Sequence, residues 1–91
     1  MSELFDSSQL GRVNDLIVYL RSVANYEANF HTHENTDEMF IVQSGTLYLD
    51  LESKTIRLGA GDSYTVLKGE KHRTRAKELT EVLVISRALN A

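Results

Sequence analysis

Eight short strand-like runs separated by turn residues constrain this chain more than any other feature. They cover residues 16–23, 30–33, 38–43, 46–51, 55–58, 63–67, 72–76 and 79–86. The runs are rich in Val, Ile, Leu, Thr and Tyr, and the breaks between them hold Gly, Ser, Asn, Asp or Lys. No stretch of ten residues or more repeats at helical spacing. Residues 78–87 come nearest, but Thr80, Val82, Val84 and Ile85 favour a strand. A series of short antiparallel strands closes as a sandwich, a barrel or a jelly roll. The expected fold is therefore all-β.

With 91 residues, one domain with one small core is expected, spanning residues 1–91. Within it, residues 1–12 show little pattern and are expected to form a loose N-terminal arm or a strand exchanged with a partner. Leu47, Leu49 and Leu51 fall on one face of a strand and read as core, with Tyr48 and Asp50 on the other. No cysteine is present, which excludes disulfides and thiolate metal sites. The formal net charge of −3 gives no general attraction to nucleic acid or to an anionic membrane. No apolar run approaches the roughly 20 residues of a membrane-spanning helix. The polar, acidic start is unlike a secretory signal, so a cytoplasmic location is expected.

All three histidines and one glutamate fall close to these strands: His31, His33, Glu38 and His72. Alternation along an extended segment sets His31 and His33 on one side, about 6.5–7 Å apart. Glu38 follows after the polar loop 34–37, and its own alternation turns Phe40 and Val42 inward with it. Asp37 cannot share that face. Imidazole nitrogen and carboxylate oxygen together suit Zn, Mn, Ni or Fe, one divalent ion per subunit. Four such ligands leave one or two positions on a five- or six-coordinate ion for water, dioxygen or a bidentate substrate. Taken alone, a His-x-His pair is as readily two surface imidazoles, and a lone glutamate is usually a solvated charge.

The spacing of these residues resembles the cupin superfamily of small β-barrels. Its first motif is matched by His31, His33, Glu38 and Gly45, and its second by Gly61, Gly69 and His72. The segment 31–45 is similar to small stand-alone cupins, some of which are labelled mannose-6-phosphate isomerase-like. Asn25 stands where the first motif begins with glycine, Leu67 where the second has proline, and Ala76 where it closes with asparagine. Neither Leu67 nor Ala76 stands at a metal-ligand position of the family. The resemblance implies a jelly-roll barrel, or double-stranded β-helix, with a metal held by the four matched residues. It also implies pairing into a homodimer.

The family includes dioxygenases, isomerases, decarboxylases, sensing domains and storage proteins, and fold alone does not choose among them. The leading reading is a metal-dependent enzyme acting on a small oxygenated or cyclic substrate, by oxygenation or isomerisation. The alternative is a non-catalytic module that binds or senses a metal-anchored small ligand. Phe40, Val42, Tyr64 and Thr74 are expected to line the pocket, and no catalytic acid or base can be named. Lys68, Lys71, Arg73 and Arg75 form a basic cluster near the rim that reads as solvated surface, with an anion guide at the mouth as the alternative. With no inward arginine or lysine expected, a phosphate-bearing sugar is not the expected ligand.

Overall fold

The computed structural model describes residues 2–88, which form nine strands and no helix. They are β1 (Leu4–Val13), β2 (Leu16–Ala24), β3 (Tyr26–Glu27), β4 (Glu38–Ser44), β5 (Thr46–Leu51), β6 (Thr55–Gly59), β7 (Ser63–Val66), β8 (His72–Ala76) and β9 (Thr80–Arg87). Two sheets face each other, one in the order β1-β2-β9-β4-β7 and the other β3-β8-β5-β6. Every strand pairing is antiparallel. This is the double-stranded β-helix, or jelly roll.

Alternation decides what the sheets enclose. Phe40 and Val42 from β4, Leu47, Leu49 and Leu51 from β5, and Val82 and Val84 from β9 meet in one core with Leu58 and Val66. Leu49 and Val42 have no exposed surface at all. The turn between β4 and β5 is so closely packed that it requires glycine. Gly45 has φ +81°, and a Cβ there would stand 2.5 Å from the Leu79 carbonyl oxygen and from the Thr80 hydroxyl. The buried Thr80 hydroxyl in turn accepts the Thr46 N–H, at 3.1 Å.

Three segments differ from the reading of the sequence. Residues 4–13 are an ordered strand, β1, paired with β2 of the same chain from Leu4↔Ala24 to Val13↔Leu16. The β2 backbone supplies the partners that the weak side-chain pattern of β1 does not announce. A bulge between Gln9 and Gly11 interrupts this edge strand, a common device for blunting an open edge. Residues 30–33 are not a strand. Only His31 pairs there, in a single antiparallel bridge with His72. The stretch 24–28, expected as a turn, bends at Asn25 (φ 47°) and then pairs Tyr26 and Glu27 with β8. Asparagine tolerates this left-handed conformation, so the glycine of the motif is dispensable there.

The basic cluster is also different. Asp50 lies on the outer face of β5 yet is only 5% exposed. Arg73 Nε and Arg75 Nε each donate to its Oδ2 at 2.8 Å, and the Thr55 hydroxyl donates to Oδ1 at 2.6 Å. The guanidinium of Arg73 also covers the Phe30 ring at 4.6 Å, and that of Arg75 covers Tyr48 at 4.8 Å. Strand register brings this about: Asp50 sits opposite Arg73, with Arg75 two residues along the same face. Arg73 and Arg75 are therefore structural ion-pair partners rather than solvated charges.

Hydrogen bonding by Arg75 outweighs the effect of burial and, with Thr55 and Arg73, holds the Asp50 carboxyl well below the usual carboxylate range. A depressed carboxyl stabilises the fold fully above its unfolded value of about 3.9 and loses that contribution as pH falls toward the folded value. Asp50→Asn is expected to cost about 2 kcal/mol in urea unfolding at pH 7, since it leaves two guanidinium groups short of their shared acceptor. The gap between variant and parent should narrow progressively below about pH 4.

Candidate metal centre

The centre is assembled from three segments that backbone hydrogen bonds tie together. The N–H of His31 donates to the His72 carbonyl at 2.9 Å, and the His72 N–H returns the bond at 3.0 Å. Gly69 N–H donates to the His33 carbonyl at 2.7 Å. Gly69 has φ +82°, which glycine adopts without a steric penalty. Leu67, standing in the place of the family proline, is 60% exposed, and its turn is closed by a Glu70 N–H to Leu67 carbonyl bond at 3.1 Å. Glu38 enters from the other sheet as the first residue of β4 and is 6% exposed.

These constraints bring His31, His33, Glu38 and His72 together, with one potential ligand atom from each inside a cluster 4.8 Å across. Glu38 Oε1 lies 3.2 Å from His72 Nε2 and 3.4 Å from His33 Nε2. The rings of His31 and His72 are 4.4 Å apart between centroids. Asp37, as alternation requires, points away, and its carboxylate accepts the Lys68 N–H at 2.8 Å.

The hydrogen bonds around the cluster decide which ring nitrogens face it. His31 Nδ1 lies 2.8 Å from the Asn29 carbonyl, and His72 Nδ1 lies 2.9 Å from the Glu70 carbonyl. A carbonyl only accepts, so each Nδ1 carries the proton. In the neutral ring Nε2 then presents a lone pair to the centre. The His33 Nε2 is buried and has no hydrogen-bond partner. Lone pairs crowded against a carboxylate oxygen repel one another unless a proton or a cation stands among them. The donor set therefore fits a divalent metal ion.

Without such an ion, a proton must do the work. Burial alone would push the Glu38 carboxyl up, but the His72 hydrogen bond, with the charges of His33 and Arg21, holds it below its ordinary value. Burial likewise pushes His72 down, and its bonds to Glu38 and the Glu70 carbonyl raise it above the ordinary imidazole value. Both shifts favour the charged pair.

A cavity of about 100 Å³ opens beside the cluster, reached by His31 and Glu38. Phe40 and Thr74 line it, with Leu47, Val82 and Val84 as an apolar wall. Val42 is buried in the core below, and Tyr64 packs against that core opposite Phe40. Neither reaches this cavity. For Tyr64 the reason is strand order: β7 lies beyond β4 at the far edge of its sheet.

The expectation of no inward basic residue is overturned by Arg21. This half-buried side chain of β2 lines the cavity together with Phe5 and Tyr26. It also borders a second, larger hollow of about 350 Å³ on the side of His33 and Glu38. The signal was present, because Arg21 alternates in phase with Ile17, Tyr19 and Val23. An arginine in that phase faces the interior side of the sheet.

Comparison with known proteins agrees with this architecture. The model of the cupin domain matches residues 23–86. The uncharacterized protein YdbB of Bacillus subtilis (strain 168) is 43% identical over 68 residues, 74% of this chain and 59% of that protein. This chain thus spans less than two thirds of that relative's length. A cupin-2 domain containing protein from Shewanella frigidimarina has a crystal structure that superposes with a TM-score of 0.84 at 35% identity, over 88% of this chain and 78% of that one. The DMSP lyase DddQ of Ruegeria pomeroyi superposes with a TM-score of 0.79 at 26% identity, over 91% of this chain and 46% of that one. With the family model covering more than half of its length, and the barrel and the motif residues in place, this chain belongs to the cupin domain family.

Proposed function

We propose that this chain is a metal-dependent cupin enzyme acting on a small oxygenated or cyclic substrate by oxygenation or isomerisation. One divalent transition metal (Zn, Mn, Ni or Fe) would be held by His31, His33, Glu38 and His72. The observation that carries the metal assignment is the buried, unbonded His33 Nε2 beside a carboxylate and two further imidazoles. Bound there, a divalent ion supplies Lewis-acid polarisation of a substrate oxygen and lowers the pKa of a coordinated water. The remaining work falls to the protein. Phe40, Leu47, Val82 and Val84 exclude water from the inner end of the cavity, and Thr74 offers a hydroxyl to orient a polar group. The Ruegeria relative, named as a lyase, supports a catalytic role for this fold.

One observation favours the alternative, a small-ligand binding or sensing module. Among the described residues, and apart from the candidate ligands, the cavity is lined by no carboxylate and no imidazole, and its remaining titratable groups are Arg21 and Tyr26. Reactions that need a separate general acid or base have few candidates here. Oxygen uptake and substrate loss over a panel of small carbonyl, enol and phenolic compounds separate the two readings. Turnover by metal-loaded protein, abolished in Glu38→Ala, is expected for the enzyme; ligand binding without turnover favours the module.

The chain is further proposed to work as a cytoplasmic homodimer. Its open edge, β1, exposes Leu4, Phe5, Leu10 and Val13, which a second copy would cover, by pairing or by strand exchange. Light scattering at micromolar concentration is expected to give about twice the 10.3 kDa chain mass, and a mass near 10.3 kDa would reject the dimer.

Protein purified without a histidine tag at pH 8 is expected to contain one metal per chain, and His31→Ala and His72→Ala to contain far less. Protons compete with metal for the imidazoles, and His72 in the metal-free protein is shifted above its ordinary value of about 6.5. Metal should therefore be retained at pH 8, with an affinity that declines as pH falls through and below that raised value. Equal metal in parent and variants would defeat the assignment.

A further inference from the structure

We infer that Arg21 is a ligand-recognition residue, and that the small molecule received beside the metal centre carries a carboxylate. The inference rests on the metal-site reading above and names the ligand class for that site.

Arg21 is not part of either sequence motif, and its position is unusual for a surface arginine. It borders the cavity that contains His31 and Glu38 and also the hollow that contains His33 and Glu38. Among the described residues, no other lysine or arginine lines the first of these. Its guanidinium lies 5.7 Å from the Phe5 ring centroid and 6.0 Å from that of Tyr19, so aromatic groups from β1 and β2 flank it. Phe5 in turn meets Tyr26 of β3 at 5.1 Å, and both line the cavity with Arg21. This packing restricts the side chain without consuming its donors. Nε makes one long hydrogen bond, 3.4 Å, to the Ser7 hydroxyl. The two terminal nitrogens have no hydrogen-bond acceptor among the described residues. A planar pair of free N–H donors held at a cavity mouth matches the two oxygens of a carboxylate.

Charge points the same way. Three neutral imidazoles, the Glu38 carboxylate and a divalent ion leave one net positive charge, and Arg21 adds a second. The cavity wall behind them is Phe40, Leu47, Val82 and Val84, which offers no compensation. Unbalanced charge beside apolar surface is costly, and a bound anion relieves it. The limited volume calls for a short acid with an apolar body, of a size that about 100 Å³ can admit. A phosphate, with more oxygens to satisfy, would find one guanidinium insufficient.

The test measures binding, independently of any turnover. Zinc-loaded parent, Arg21→Gln and Arg21→Lys are titrated calorimetrically with acetate, propionate, butyrate, acrylate and benzoate, and with the corresponding neutral amides. Zinc content and circular dichroism are recorded on the same samples. At least one acid is expected to bind the parent about tenfold more tightly than its amide, a difference of one charge-assisted contact. Arg21→Gln should abolish that preference at unchanged zinc content and fold, and Arg21→Lys should keep part of it. An equal preference in Arg21→Gln would mean that the metal alone selects the acid, and would overturn the role of Arg21. So would a fully zinc-loaded parent that prefers none of the acids. A parent that holds no zinc overturns the metal reading, and with it this inference, and the zinc content distinguishes that failure from the others.

Discussion

The reciprocal pairing of His31 with His72 is the interaction on which the rest of the site depends. Two backbone hydrogen bonds join a loop that would otherwise have no regular partner to the first residue of β8. His33 is held in the same way by Gly69, so both ligand-bearing segments are fixed to one sheet before any metal is considered. Glu38 then approaches from the opposite sheet, on a strand whose next inward residues are Phe40 and Val42. A carboxylate and imidazoles are in this way brought together above a Leu and Val core. Burying these groups is costly, and a proton or a cation among them offsets that cost.

The barrel places its two charged clusters on opposite faces of one sheet. His72 points inward from β8 to the candidate metal centre, whereas Arg73, the next residue, points outward to Asp50. Alternation along a single strand therefore serves both the centre and the outer ion-pair network. The outer cluster stiffens the pairing of β5 with β8, which in turn fixes where His72 stands.

Much of this was legible in the sequence. The residues of β4, β5 and β9 announce themselves by alternation, and Glu38, Phe40 and Val42 share the interior side as that alternation requires. The spacing of the four candidate ligands, with Gly45 and Gly69, identifies the family. What was not legible depends on pairing across the chain. β1 has little side-chain pattern and is a strand because β2 gives it backbone partners. The segment around His31 is extended because of one bridge to a residue 41 positions away. Asp50 looked like a solvent-facing residue until register placed Arg73 and Arg75 against it. Arg21 carried a signal in its phase with Ile17, Tyr19 and Val23, but a charge in that phase contradicts the usual rule that such positions are apolar. Such local contradictions concentrate at functional sites.

Anomalous diffraction from a crystal of metal-loaded protein tests the central claim most directly. The account predicts a single strong peak per chain, about 2.0–2.3 Å from a nitrogen of each of His31, His33 and His72 and from an oxygen of Glu38. A peak bound elsewhere on the chain, or a fully metal-loaded crystal with no peak among these four side chains, would contradict it.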